Sequence, residues 1–253
     1  MNRFGILIGL LSALMAVSSC TSEATPACQN ITYAKTGFTV CHYKAGTNTI
    51  RTYLYDAQSA PYGQFFALQK ALQDQNQDLL FAMNGGMYHD DRSAVGLYIE
   101  DGKQLKTLST KKGPGNFHMM PNGVFYMNDQ GVYVLESKVF DNMHRKNIAP
   151  INHATQSGPM LVINGKLHPK FNKTSTSKHI RNGVGVRGDD VYFVISNEKV
   201  NFHTFASLFK DHLKTPNALY LDGVVSKIYA PELNRQDIGR KMGPMIAVVG
   251  ETP

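Results

Sequence analysis

The feature that most constrains this chain is a short rhythm repeated four times: an apolar β-like run, a turn bearing glycine, and where the chain continues, a second β-like run. Residues 95–100 lead into Asp101-Gly102, and residues 159–163 into Asn164-Gly165. Residues 123–127 reverse through Asn128-Asp129-Gln130-Gly131 into 132–135, and residues 183–187 reverse through Gly188-Asp189-Asp190 into 191–195. Asn-Gly and Asp-Gly turns fold a strand back on its neighbour, so the pattern predicts a largely antiparallel or mixed β-sheet core. Two segments have helical spacing instead. Residues 62–75 carry Phe65, Leu68 and Leu72, and residues 201–213 carry Phe202, Phe205, Ala206, Phe209 and Leu213 with Asn201 as a cap. Such helices are expected to cover a sheet, which gives an α+β fold in a single domain with no interdomain linker. Residues 164–180 are the most loop-like stretch. They are expected to be a surface loop, the alternative being a flap over a site.

The first residues read as an address. Asn2 and Arg3 form a short positive region, residues 6–17 are apolar, and Val17-Ser18-Ser19 precedes Cys20. An apolar run this short is a secretory signal rather than a span. Its end resembles a bacterial lipoprotein signal, with residues 1–19 removed, Cys20 lipidated and residues 20–27 a tether; an ordinary secretory signal is the alternative. Thr21 is similar to the outer-membrane sorting class, so the domain, residues 28–253, is expected to be anchored to the outer membrane facing the periplasm. With Cys20 lipidated, Cys28 and Cys41 remain in a compartment where disulfides persist. Residues 31–33 and 38–40 look like two strands turning near Gly37, and a bridge across that hairpin is predicted.

The whole chain carries +7, one less without Arg3. That balance favours anionic partners such as phosphate, acidic glycans or lipid headgroups. Basic residues are scattered, tryptophan is absent, and no nucleic-acid motif occurs, so nucleic acid is not an expected partner.

Candidate chemistry lies where strands end. Asn84-Gly85-Gly86-Met87-Tyr88 follows an apolar run, and so does Leu221-Asp222-Gly223-Val224-Val225-Ser226. Glycine permits sharp turns or close approach of a ligand, and a short polar side chain beside it is held by the strand behind. Gly115-Asn116-Phe117-His118, Ser157-Gly158-Pro159, Arg181-Asn182-Gly183 and Asn197-Glu198 repeat this style. The bland alternative is a set of tight turns, with Asp222 capping one and Arg181 paired to a carboxylate.

Five of these segments resemble, in order, the motifs of the phosphodiester glycosidase family: Asn84–Tyr88, Gly115–Phe117, Ser157–Leu161, Arg181–Gly185, and Leu221-Asp222-Gly223 with Ser226. The family's last motif is richer in glycine, Asp-Gly-Gly-Gly-Ser, where this chain has Val224 and Val225. The resemblance implies hydrolysis of a sugar-1-phosphodiester to free sugar and a phosphomonoester, on a small glycosyl phosphodiester or phosphoglycan. It implies Asp222, then Glu198, as the carboxylate near C1, and His118 as proton donor. Arg181 would grip the phosphate, while Asn84, Gly85, Gly86, Asn116, Gly158, Asn182, Gly223 and Ser226 would line the substrate. No cofactor is expected. His89, Asp90 and Asp91 would suit a divalent cation, but a solvated loop is the simpler reading. A non-catalytic glycan or anionic-polymer binding lipoprotein of the same fold is the competing class.

Overall fold

The computed structural model describes residues 26–144, 150–222 and 225–252. The expected signal, Cys20, the tether through residue 25, and Gly223 lie outside the described residues. The described strands form three sheets. The first has seven strands in the order Cys28–Tyr33, Thr36–Lys44, Asp190–Ser196, Asn182–Arg187, Asn217–Asp222, Met160–Ile163 and Lys166–Leu167. The second runs Arg235–Gln236, Ile228–Ala230, Gln77–Asn84, Met245–Glu251 and Thr49–Tyr53. The third runs Lys103–Lys106, Tyr98–Glu100, Ile151–Ser157, Gly123–Asn128 and Gly131–Glu136. Neighbouring strands pair antiparallel throughout, as the hairpin signals require.

The four expected hairpins form at their expected turns. Asp101-Gly102 and Asn164-Gly165 take left-handed backbone at both positions, with φ of 48° and 74°, and of 46° and 77°. That is the backbone a tight two-residue hairpin turn demands. The first hairpin departs from expectation. Its turn lies at Ala34-Lys35, with φ of 48° and 63°, whereas Gly37 sits within a strand opposite Thr32. Register decides this: Cys28 and Cys41 are direct cross-strand partners, bonded at 2.04 Å, and six paired positions follow from that alignment. They outweigh the local preference of a glycine for the turn.

A shared core lies where the sheets face one another. Val184, Phe193 and Leu221 come from the first, Phe81, Ile246 and Val248 from the second, and Phe125 and Val134 from the third. Helices close the outer faces. Phe65–Gln73 sets Phe65, Leu68 and Leu72 on the second sheet. Phe202–Ser207, continued by a wider turn at Leu208–His212, sets Phe205 and Phe209 on the first. Asn201 caps it, its Oδ1 accepting from the Thr204 N–H at 2.9 Å. A third helix, Ser137–His144, has no counterpart in the sequence reading; it follows the strand Gly131–Glu136 directly and buries only Ser137 and Phe140, leaving Val139 and Met143 exposed. Residues 164–180 pack beside the Asn201 cap: Asn201 Nδ2 donates to the carbonyls of Lys173 and Ser175, and Phe171 stacks on Phe202 at 4.9 Å.

At one end the three sheets are joined by buried polar contacts. Asn182 Nδ2 donates to Asn84 Oδ1 at 2.9 Å, tying the first sheet to the second. Ser157 Oγ donates to the Leu221 carbonyl and Thr155 Oγ1 to the Gly85 carbonyl, both at 2.6 Å, tying the third to the other two. Asn182 Oδ1 also accepts from the Asp222 N–H at 3.0 Å, and Asn84 Oδ1 from the Lys227 N–H at 2.8 Å. Both asparagines are fully buried.

Two outcomes follow. Asn182→Ala strips partners from the Asp222 N–H and from Asn84 Nδ2. At about 1–3 kcal/mol for each stranded buried group, a loss of several kcal/mol is expected in denaturant unfolding. The second outcome concerns Glu100, which accepts from the Tyr98 hydroxyl at 2.7 Å and the Leu54 N–H at 3.0 Å. Burial raises its carboxyl from 4.5 to about 7, against those hydrogen bonds. The unfolded chain therefore ionises first, and this group withdraws stability as pH rises from 4.5 to 7. Glu100→Gln is expected to raise the melting temperature relative to wild type above pH 7, the advantage growing through that window. A pH-independent difference in thermal melts would contradict it.

Candidate active site

The strand ends tied together by Asn84 and Asn182 open onto a cavity of about 950 Å³. Asp222, Asn116 and His118 line it together, brought from segments about a hundred residues apart by the sheet junction. Asp222 ends its strand as the cross-strand partner of Asn182 and keeps only 6 % of its surface exposed. His118 has Nδ1 2.9 Å from the Lys111 carbonyl. A carbonyl only accepts, so Nδ1 carries hydrogen and Nε2 is the nitrogen left for a ligand. Tyr88 also lines the cavity, its hydroxyl donating to the Lys241 carbonyl at 3.2 Å. Burial and then the nearby Asp222 charge push that phenol above its ordinary range.

The cavity's cations are Arg92, Arg240 and Lys241, set against Asp90 and Asp222. None of the three appears among the residues singled out from sequence. Arg240-Lys241 stands just ahead of Gly243-Pro244, where the strand Met245–Glu251 begins. A basic pair before a glycine-led strand start is the signal that would have found them, the same style as Arg181-Asn182-Gly183.

Arg181 itself is not part of the cavity lining. It is 1 % exposed, its Nε donating to the Val200 carbonyl at 2.9 Å and its Nη2 to the Ser177 carbonyl at 3.2 Å. Its guanidinium lies 3.6 Å over the Phe202 ring and 5.4 Å from that of Tyr220. It forms no salt bridge among the described residues. Burial pulls its pKa down, an effect the neighbouring Tyr220 opposes. The buried Tyr220 hydroxyl and Arg181 Nη1 find no hydrogen-bond partner among the described residues. Arg181 thus stands outside the cavity lining, within the protein interior.

The other expected residues divide similarly. Asn84 and Asn182 spend their amides on one another and on backbone. Gly85 and Gly158 serve close packing: a Cβ on Gly85 would fall 2.9 Å from the Met245 carbonyl carbon, and one on Gly158 2.6 Å from Asn122 Cβ. Gly86 likewise abuts Thr155. Ser226 borders an adjoining hollow, its Oγ 2.8 Å from the Asp222 carbonyl. Glu198 is exposed in the bend after Asp190–Ser196, near Gly37, and does not line the cavity. His89 and Asp90 line it, whereas Asp91 accepts from Ser93 Oγ and N–H, which hold its carboxyl below the usual range. Among the described residues no three His, Cys, Asp or Glu side chains come together as metal ligands. A separate cleft of about 720 Å³, at the hairpin-turn ends near His153 and Asp129, contains none of the expected residues.

The chain is 36 % identical over 184 residues to the uncharacterized protein YigE of Escherichia coli K12, spanning 72 % of this chain and 70 % of that protein. The fold is similar to the catalytic domain of zebrafish N-acetylglucosamine-1-phosphodiester alpha-N-acetylglucosaminidase, with a TM-score of 0.60 at 14 % identity over 87 % of this chain and 81 % of that one. A hypothetical protein from Synechocystis gives a TM-score of 0.51 at 13 % identity over 88 % of this chain and 61 % of the other. Likeness at such identities speaks to fold alone. The phosphodiester glycosidase family matches residues 77–249, which include every segment lining the cavity. On that match the chain belongs to the phosphodiester glycosidase family.

Proposed function

We propose that this protein hydrolyses sugar-1-phosphodiesters at the glycosidic bond, releasing free sugar and a phosphomonoester. The observation that carries the reading is a strand-anchored carboxylate, Asp222, lining one cavity with Arg92, Arg240 and Lys241. The substrate diester bears one negative charge. As the C1–O bond breaks, its electron pair stays with the departing phosphate, and positive character grows on the sugar ring. Arg240 and Lys241 stabilise the former, and Asp222 the latter, either by attack or by orienting the water whose oxygen joins C1. His118, with Nδ1 tied to the Lys111 carbonyl, moves a proton at Nε2 between that water, the phosphate oxygen and solvent. The zebrafish protein of similar fold is an N-acetylglucosamine-1-phosphodiester alpha-N-acetylglucosaminidase, which supports N-acetylglucosamine-1-phosphodiesters as the first substrates to offer.

We further propose that the domain works in the cell envelope, exported by residues 1–19 and held to the outer membrane by a lipid on Cys20.

Two experiments test these readings. With residues 21–253 and N-acetylglucosamine-1-phosphodiesters, Asp222→Asn is expected to lower kcat by roughly a thousandfold with KM little changed. Arg240→Ala is expected to lower kcat/KM by roughly a hundredfold. Undiminished turnover by Asp222→Asn removes it from the chemistry, and no sugar release by the wild type leaves a binding lipoprotein as the better reading. In cells, palmitate labelling and membrane association are expected for the full chain and lost in Cys20→Ser; labelling that survives the change excludes the anchor.

A further inference from the structure

Arg240 and Val225 border a second hollow of about 510 Å³ beside the first, so the two form one groove. Asp222 lines only the first hollow, and Arg240 lines both. If C1 of the sugar stands at Asp222, the diester phosphate falls near Arg240 and the aglycone continues into the second hollow.

The charge there is one-sided. Lys199 and Lys227 join Arg240 against a single carboxylate, Asp237, with His179 beside them. That carboxylate is already engaged: both oxygens accept from Arg235 at 3.1 Å, and one also from the Ile228 N–H. Lys227 keeps only 6 % of its surface exposed, yet it has no salt bridge among the described residues. Its Nζ donates to the Arg240 carbonyl at 2.5 Å and approaches Gln64 Oε1 at 3.5 Å. A buried ammonium without an ionic partner costs stability, and an incoming anion relieves that cost. Burial pulls its pKa down, with Asp237 opposing. The frame around it is fixed, since His179 and Val200 exchange backbone hydrogen bonds of 3.1 and 2.9 Å, holding Lys199 at the rim.

We propose that the second hollow is an aglycone subsite that takes a further phosphate, so that the preferred substrates are glycosyl phosphodiesters whose aglycone is itself phosphorylated, rather than esters of neutral alcohols. This rests on the proposed hydrolysis for the position of C1. Lys227 anchors the additional anion from the buried wall, Arg240 stands between it and the diester phosphate, and Lys199 meets it from the rim.

The test is calorimetric titration of the Asp222→Asn protein, which separates affinity from turnover. The probes are N-acetylglucosamine-1-phosphoryl-glycerol and the same molecule phosphorylated on its distal glycerol hydroxyl. The phosphorylated probe is expected to bind about tenfold tighter at low salt, the margin shrinking as salt is raised. The preference is expected to vanish when Lys199→Glu is added, with the melting temperature unchanged because Lys199 is exposed and holds no salt bridge among the described residues. Equal affinity for the two probes, binding of neither, or a preference that survives Lys199→Glu overturns the subsite. Sugar release by the wild type together with equal affinities leaves the hydrolysis standing and the subsite refuted. A preference without release does the reverse.

Discussion

The structure depends on one contact, the amide pair between Asn84 and Asn182. These side chains come from different sheets, lie entirely out of water, and spend nearly all their hydrogen-bonding capacity on one another and on the backbone of Asp222 and Lys227. A buried amide is costly when unpaired and rigid when satisfied. The same bonds that hold two sheets in register therefore fix where the strand bearing Asp222 ends and where the segment bearing Lys227 begins. The third sheet joins through Thr155 and Ser157, which donate to backbone rather than to side chains. The carboxylate is positioned by three sheets at once, which is what a strand-end site offers over a loop.

That arrangement explains which parts of the molecule were legible in its sequence. Hairpins are local, so Asp101-Gly102 and Asn164-Gly165 announced themselves through turn chemistry alone. The Cys28–Cys41 pairing followed from compartment and count. Gly37 misled because a residue's own turn preference is small beside the summed pairing of a strand, and register is a property of both strands. The way three sheets face one core was not legible, since alternation shows that a strand has a buried side without showing what it is buried against. Ser137–His144 was missed for a different reason: its eight residues follow a strand directly, so the change from one period to the other falls inside a continuous run.

The site was legible in position and less so in role. Polar residues beside glycine at strand ends did converge, bringing Asp222, Asn116 and His118 to one cavity. Sequence does not distinguish a polar side chain that meets ligand from one that meets another polar side chain across a junction. Asn84, Asn182 and Arg181 look like ligands for a sugar phosphate, and each is instead saturated or walled off by protein. Gly85 and Gly158 look like places for a substrate to approach, and the backbone of a neighbouring strand or the side chain of Asn122 approaches there instead. Of the cations that do line the cavity, Arg240 and Lys241 sit on an exposed segment just ahead of a glycine-led strand start, a weaker mark than a polar residue beside glycine at a strand's end, and Arg92 lies in a loop.

Framework and recognition are thus carried by different parts of the chain. Asn84, Asn182, Thr155 and Ser157 lie inside sheets, where substitution strands buried groups. Arg92, Arg240, Lys241 and Lys199 lie in bends and irregular segments between strands, where substitution costs little stability and changes charge. Arg181 belongs to neither set, being a cation held by carbonyls and aromatic faces in the protein interior. The carbonyls and rings that hold it also keep water from it, so it is spent on the interior of the fold rather than on the cavity lining. A fold retained at 13–14 % identity with other proteins shows how far such a framework tolerates change in the residues around it.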